Sequence, residues 1–323
     1  MMGRCRLRFE APRLSIGVVT ASAALVWCMS VISCGVASKE IEFRFNPADG
    51  TTYVETVKTT KISHVGADAS RTDMTQIKAK TVITKTPSGY RLASTALSVS
   101  ATRNGQPFPD PLTTLMKGLT IVYELDEDGQ LLTIRGHDEF LKRMSGQFDP
   151  AVTQALSAVL NEEALSNKAQ AEWNGRVGSF VGRGANMGDV WEGTDEYPLP
   201  SGETVVFYSI TKVGERVEHA GRDCVTIEFH YDTDAEALAK FAGKMLKDIQ
   251  AAASVSGPGP KVGGAKLSGG GERLIDPATM LIYRETSTRT IKMPMNVPGR
   301  GIVTVRAQET RGYSYDYGGS DNP

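Results

Sequence analysis

Four stretches of this sequence, residues 51–65, 72–86, 89–103 and 120–125, read as extended chain and set the terms for everything around them. They are rich in Thr, Val, Ile and Tyr, whose branched or aromatic side chains sit well on a pleated surface. Apolar and polar residues alternate only in part. In 72–86, Met74, Gln76, Lys78 and Lys80 share one face. Ile77 and Ala79 share the other and are followed by Val82 and Thr84, so a slip in register is expected there. Long, Thr-rich, half-polar strands suit an antiparallel sheet with one wet face.

The remaining pattern extends this reading. Residues 40–46 and 130–135 are further strands, the second following an Asp126-Glu127-Asp128-Gly129 turn. Helical spacing then takes over, with a stripe of Phe140, Leu141, Met144 and Phe148 and another of Val152, Leu156, Val159 and Leu160. Pro150 ends the first helix at Asp149, because proline removes a helix hydrogen bond and clashes with the preceding turn. Both stripes are read as core packing. A glycine-rich joint at 175–188 divides the chain, and strands resume at 189–197, 203–213 and 224–231. In the last, Val225, Ile227, Phe229 and Tyr231 point one way; Thr226, Glu228, His230 and Asp232 point the other, which places His230 toward water. Asp234 is placed to cap a helix with the stripe Leu238, Phe241, Ala242, Met245 and Ile249. Residues 256–271 hold seven glycines and two prolines. They are expected to form a mobile loop, dispensable for folding and cut first at Lys261 or Lys266. Strands follow at 272–275, 280–291 and 301–315, then a polar, disordered tail at 318–323. Trp191 is expected to be buried. The fold class is therefore α+β, mostly β. Asp126 and Asp276 each close one strand, with a Leu five residues on opening the next. That echo suggests two related sheet-plus-helix halves, 40–183 and 184–317.

The N-terminus gives the address. Arg4, Arg6, Arg8 and Arg13 precede Leu14 to Ser33, twenty residues without a charge, the basic-then-apolar order of a secretory signal. The run ends in Val31-Ile32-Ser33-Cys34, which resembles the lipobox of bacterial lipoproteins. That resemblance implies cleavage of residues 1–33, acylation of Cys34, and a lipid-anchored, extracytoplasmic protein of the cell envelope, facing the periplasm in a Gram-negative cell. Two or three acyl chains anchor stably where one is marginal. Residues 34–39 would be a short tether, since the five after Cys34 reach at most roughly 17 Å. Two alternatives stand beside this: cleavage after Gly35-Val36-Ala37 to a free secreted protein, or an uncleaved membrane helix, since about 20 apolar residues span a bilayer.

Composition narrows the partners. Beyond residue 33 there are 32 Lys and Arg against 36 Asp and Glu, a net of −4, which argues against nucleic acid. Cys224 is then a lone thiol at the start of an apolar strand, read as a small buried hydrophobe. No catalytic or metal motif is found: no Gly-x-Ser-x-Gly, His-Glu-x-x-His, phosphate loop or paired Cys. Asp126, Glu127 and Asp128 lack the glycine and distal Glu of a calcium hand and read as a solvated turn. Gly182-Arg183-Gly184 with Gly188 has the wrong spacing for a dinucleotide turn. No cofactor and no enzymatic activity are expected.

Three motifs carry a further resemblance: Gly188-Asp189-Val190-Trp191, Gly221-Arg222-Asp223-Cys224-Val225-Thr226-Ile227, and the hairpin Gly271-Glu272-Arg273-Leu274-Ile275-Asp276. Together they resemble a domain family of bacterial envelope proteins, with Ile275 where the family has Phe. The resemblance spans residues 40–317. It implies a curved antiparallel sheet embracing helices, similar to the half-barrel of lipoprotein carriers of the LolA and LppX type, which hold acyl chains between sheet and helix. On that basis the chain would shelter an apolar or amphiphilic ligand such as lipid. The alternative is a structural or protein-interaction module of the envelope.

Overall fold

The computed structural model describes residues 40–67, 70–157, 160–198, 204–233, 235–252, 261–299 and 301–318. The first half contains β1 (Ile41–Glu42), β2 (Thr52–Val65), β3 (Arg71–Thr86), β4 (Gly89–Arg103), β5 (Gln106–Pro107), α1 (Pro111–Leu115), β6 (Thr120–Leu125) and β7 (Leu131–Arg135). Then come α2 (His137–Gln147), α3 (Pro150–Ser157), α4 (Glu162–Trp173) and a π-helical turn at Asn174–Gly178. The second half contains β8 (Gly184–Ala185), β9 (Val190–Pro198), β10 (Thr204–His219), β11 (Arg222–Thr233), α5 (Ala235–Ala252), β12 (Lys261–Val262), β13 (Lys266–Ile275), β14 (Ile282–Val297) and β15 (Gly301–Asp316).

Thirteen strands form one antiparallel sheet in the order β7-β6-β4-β3-β2-β15-β14-β13-β11-β10-β9, with β5 on β4 and β12 on β14. The sheet is two sequential meanders joined where β15 pairs with β2, from Val54↔Asp316 to Val65↔Val305. Turn chemistry fixes several hairpins. Asn104-Gly105 and Ala220-Gly221 each place two successive residues at positive φ, matching the twist of the flanking strands. Asp126 and Asp276 share a local device: each side chain accepts from the backbone N–H two residues on, at 3.0 and 2.9 Å. The Asp126 turn lies at the outer edge of the sheet and the Asp276 turn at its middle.

The sheet is a half-barrel, open between β7 and β9. One helix, α4, packs against both of these free edges, so the sheet curls toward itself there. The same end is filled by the segment before β2. Ile41, Phe43, Phe45 and Pro47 are buried, while Glu40, Glu42, Arg44 and Asn46 are exposed. Only β1 of this segment joins a ladder, with β8. The rest is held as an extended plug: Phe43 N–H donates to the Arg183 carbonyl at 3.0 Å, and Arg44 N–H to the Pro277 carbonyl at 2.8 Å. Phe43 meets the rings of Phe180 and Trp191 at 5.6 and 6.0 Å; Phe45 meets Tyr90 and Trp173 at 5.0 and 5.6 Å. A Cβ on Gly129, whose φ is +82°, would lie 2.4 Å from Phe45 Cβ, so both backbone and neighbour require glycine.

The structure differs from the sequence reading in several places, beginning with 40–46, of which only Ile41–Glu42 is strand. No slip occurs within β3: Ile77, Ala79, Thr81 and Ile83 continue on one face, with Thr81 and Ile83 buried. The extra residue sits on the partner strand, where Leu97 bulges out between Ala96 and Ser98. Residues 261–262 and 266–271, expected in a mobile loop, are strand; β13 begins at Lys266 and pairs with both β11 and β14. Its glycines serve packing, since a Cβ at Gly269 would lie 2.4 Å from Tyr231 Oη, and one at Gly271 2.8 Å from Phe229 Cζ. That half of the segment is part of the sheet, which corrects the expectation of a loop. Helix α4 was not anticipated, although Asn161 caps it by accepting from Ala164 N–H at 2.8 Å. Finally, β10 runs on to His219 through a shift after Val213, where Thr226 Oγ1 accepts from Glu215 N–H at 3.0 Å. The expected Asp234 cap, residues 256–260 and residues 319–323 of the tail lie outside the described residues.

Candidate functional site

The inner face of the sheet changes character along the strands. At the end filled by residues 40–47 and α4, the closed end, it carries buried charge; the opposite end of the strands is the open end. Arg273 Nε and Arg176 Nε both donate to Glu285 Oε2, each at 3.0 Å. Arg176 also lies 3.4 Å from Glu55 and donates to the Tyr315 hydroxyl. Arg273 donates to the carbonyls of Gly175 and Arg176 at 2.9 and 3.3 Å, which ties the π-helical turn to the sheet. Burial alone would raise the Glu285 pKa; the charges of Arg273 and Arg176 outweigh it and hold the carboxyl below its usual range. Two guanidinium groups face two carboxylates, so this cluster is balanced. Beside it is a small cavity of about 130 Å³ bounded by Phe45, Tyr53, Glu55, Tyr123, Trp173 and Tyr315. Burial, then Glu55, pushes the Tyr53 phenol up to about 12; burial, then Glu172, does the same to Tyr123. These phenols stay protonated near neutral pH.

Further along the same face, one row of directly opposed residues crosses five strands: Arg289 on β14, Glu309 on β15, Lys61 on β2, Asp73 on β3 and Arg103 on β4. The charges alternate along the row. Arg289 and Arg311 lie 2.9 and 2.6 Å from Glu309; Arg103 and Arg71 each lie 2.8 Å from Asp73. Burial would raise both carboxyls, but the flanking guanidinium groups hold both pKa values low. On these strands the belt sets five cations against two carboxylates, and Arg289 Nε is buried without a hydrogen-bond partner.

Beyond the belt the inner face is apolar. Leu267, Ile291, Met293, Met295, Val303 and Val305 are half-buried. Helix α5, with half-buried Leu238 and Phe241 and buried Ala242, packs on β10, β12 and β13. Helix α3 bridges α5 to α2, and α1 packs on β4. Among the described residues no helix packs to a comparable extent on β2, β3, β14 or β15. The central strands therefore form the floor of a trough between sheet and helices: charged in the middle, apolar toward the open end.

The residues singled out in the sequence fall elsewhere. Cys34, the expected lipidation site, lies outside the described residues, as do 1–33 and the tether. Cys224 is fully buried, and burial, followed by Asp276, pushes its thiol up to about 11. His230 is exposed on the outer face, as its alternation suggests. Trp191 is half-buried rather than buried, because Phe43 holds the centre that it was expected to fill. Asp126 spends one carboxylate oxygen on the N–H groups of Asp128 and Gln130. Among the described residues no three His, Cys, Asp or Glu side chains converge on a point, and no helix is long and apolar enough to cross a membrane. The charged belt was missed, since each strand alone reads only as half-polar; pairing register is what lines up Lys61, Asp73, Arg289 and Glu309.

No family model and no curated protein matches this chain. Among solved structures it is similar to lipovitellin, in a structure described for its lipid–protein interactions, with 8% identity and a TM-score of 0.40, covering 85% of this chain and 26% of that one. It is also similar to OccK2 (OpdF) of Pseudomonas aeruginosa, with 7% identity and a TM-score of 0.20, covering 83% of this chain and 99% of that one. This chain thus spans about a quarter of the lipovitellin chain. At such scores the likenesses carry no argument, and the fold stands on its own strand pairing.

Proposed function

We propose that this chain is a lipid-anchored envelope protein that shelters an apolar or amphiphilic ligand between its sheet and its helices. The observation that carries the sheltering role is the inner face of β14 and β15 beyond the belt, which has half-buried apolar residues and, among the described residues, no closely packed helix. An apolar concave surface with a few placed polar groups is the usual form of a ligand site. Native mass spectrometry of the purified protein tests it: a co-purified lipid is expected, and a bare protein after gentle extraction would count against it.

Anchoring rests on the Val31-Ile32-Ser33-Cys34 motif and its place after an uncharged run. Cys34→Ala should abolish labelled-palmitate incorporation and move the protein out of the detergent phase. Unchanged labelling would remove the lipoprotein reading.

A second reading has its own support. Val190, Tyr208 and Ile210 lie on the outer face of β9 and β10, 54%, 55% and 48% exposed, beside the free edge of the sheet. An interaction module of the envelope would use such a patch. Tyr208→Ser with Ile210→Ser should disrupt partner capture under that reading and leave co-purified lipid unchanged under the first.

A further inference from the structure

The belt across the trough has more positive charge than its own pairing consumes. Each carboxylate already serves two guanidinium groups: Glu309 those of Arg289 and Arg311, Asp73 those of Arg103 and Arg71. Lys61 sits between these two occupied carboxylates on the same row. Opposite charges directly across a sheet face stabilise the pair and like charges oppose it, and here the cations of the belt outnumber the carboxylates that pair them. Here the surplus lines a partly open surface, where an additional anion can reach it.

The arrangement along the strand gives the rest of the ligand. From Arg289 to Met295 is six residues, about 20 Å of extended chain. That length is floored by Ile291, Met293 and Met295 on β14 and by Val303 and Val305 on β15. Resting on the sheltering role proposed above, we infer that the ligand is a long-chain amphiphile with an acidic headgroup, its anion held at Lys61 and Arg289 and its chain running along β14 and β15 toward the open end. Carboxylate and phosphate share the chemistry that the belt recognises: both accept charge-assisted hydrogen bonds from guanidinium and ammonium groups.

The test uses the full-length protein in phosphatidylcholine vesicles and a palmitate carrying a diazirine on its chain. Photolysis should place crosslinks on β14 and β15 between residues 291 and 305, with vesicles lacking the protein as background. Palmitate and cetyl phosphate should displace the probe at least about tenfold more effectively than cetyl alcohol, the size of one charge-assisted contact. The tighter of the two acids identifies the headgroup. Lys61→Gln should remove most of that preference while leaving the circular dichroism spectrum and cetyl alcohol competition unchanged, and Lys61→Arg should restore it. Equal displacement by the alcohol and the acids, with crosslinks still in the trough, would overturn the acidic headgroup and leave sheltering intact. Crosslinking no higher than background would overturn sheltering and this inference with it.

Discussion

The closed and open ends of the sheet present the same strands, yet they treat charge in opposite ways. At the closed end Arg176 and Arg273 meet Glu55 and Glu285 under a cover supplied by residues 40–47 and α4, and the ions are balanced. Farther along, Lys61, Arg71, Arg103, Arg289 and Arg311 outnumber Asp73 and Glu309 on a face that no helix among the described residues covers to a similar extent. Desolvation explains the contrast. A buried charge costs several kcal/mol unless paired, whereas a partly solvated one can be left in excess at little cost. The balanced end holds the fold together; the unbalanced end is free to meet something else.

The contrast can be broken first at the plug. Phe43→Ala removes a fully buried ring at the centre of the aromatic cluster and should cost about 4 kcal/mol, read from the urea midpoint. A shift under about 1 kcal/mol would mean that the closed end is not the stabilising core. Glu285→Gln comes next, at about 3 kcal/mol, because it leaves two buried guanidinium groups short of a counter-charge. Its pH signature follows from the lowered carboxyl pKa. The folded-state value lies below the unfolded value of about 4.3. The wild-type protein therefore has this contribution in full above that value and loses it as pH falls through the folded pKa. The variant should lack this part of the acid dependence, and parallel acid titrations of the two proteins would contradict the assignment. Glu309→Gln should cost the least, about 1 kcal/mol, since its arginines remain partly solvated. A loss as large as that of Glu285→Gln would make the belt a structural cluster after all.

Much of the sheet was legible because hydrophobic alternation is local. The bounds of β4 and β6 can be read from composition and turns alone. What failed had non-local causes. The glycines at 269 and 271 signal flexibility by themselves, but beside Tyr231 and Phe229 they are the residues that let aromatic rings lie across a strand. The slip expected in β3 came from Val82, an apolar residue on the face opposite Thr81 and Ile83, whereas the one irregularity of the β3–β4 pairing is Leu97 on β4. Helix α4 has only a weak apolar stripe and is held by both sheet edges, a tertiary fact. The belt is the extreme case: Lys61, Asp73, Arg289 and Glu309 span most of the chain, and only strand order makes them neighbours.

That strand order also sets a schedule for the growing chain. Thr60 pairs with Thr310, 250 positions later, so β2 and β15 cannot meet until nearly all of the described chain has been made. Contacts so distant in sequence are slow to form, because the intervening chain must be closed before they are rewarded. Each meander can zip locally, but until β15 emerges β2 remains an unpaired edge open to other chains. The floor of the trough is thus the last part to be laid, and a polypeptide that stops before residue 301 would carry two sheets with sticky margins instead of one.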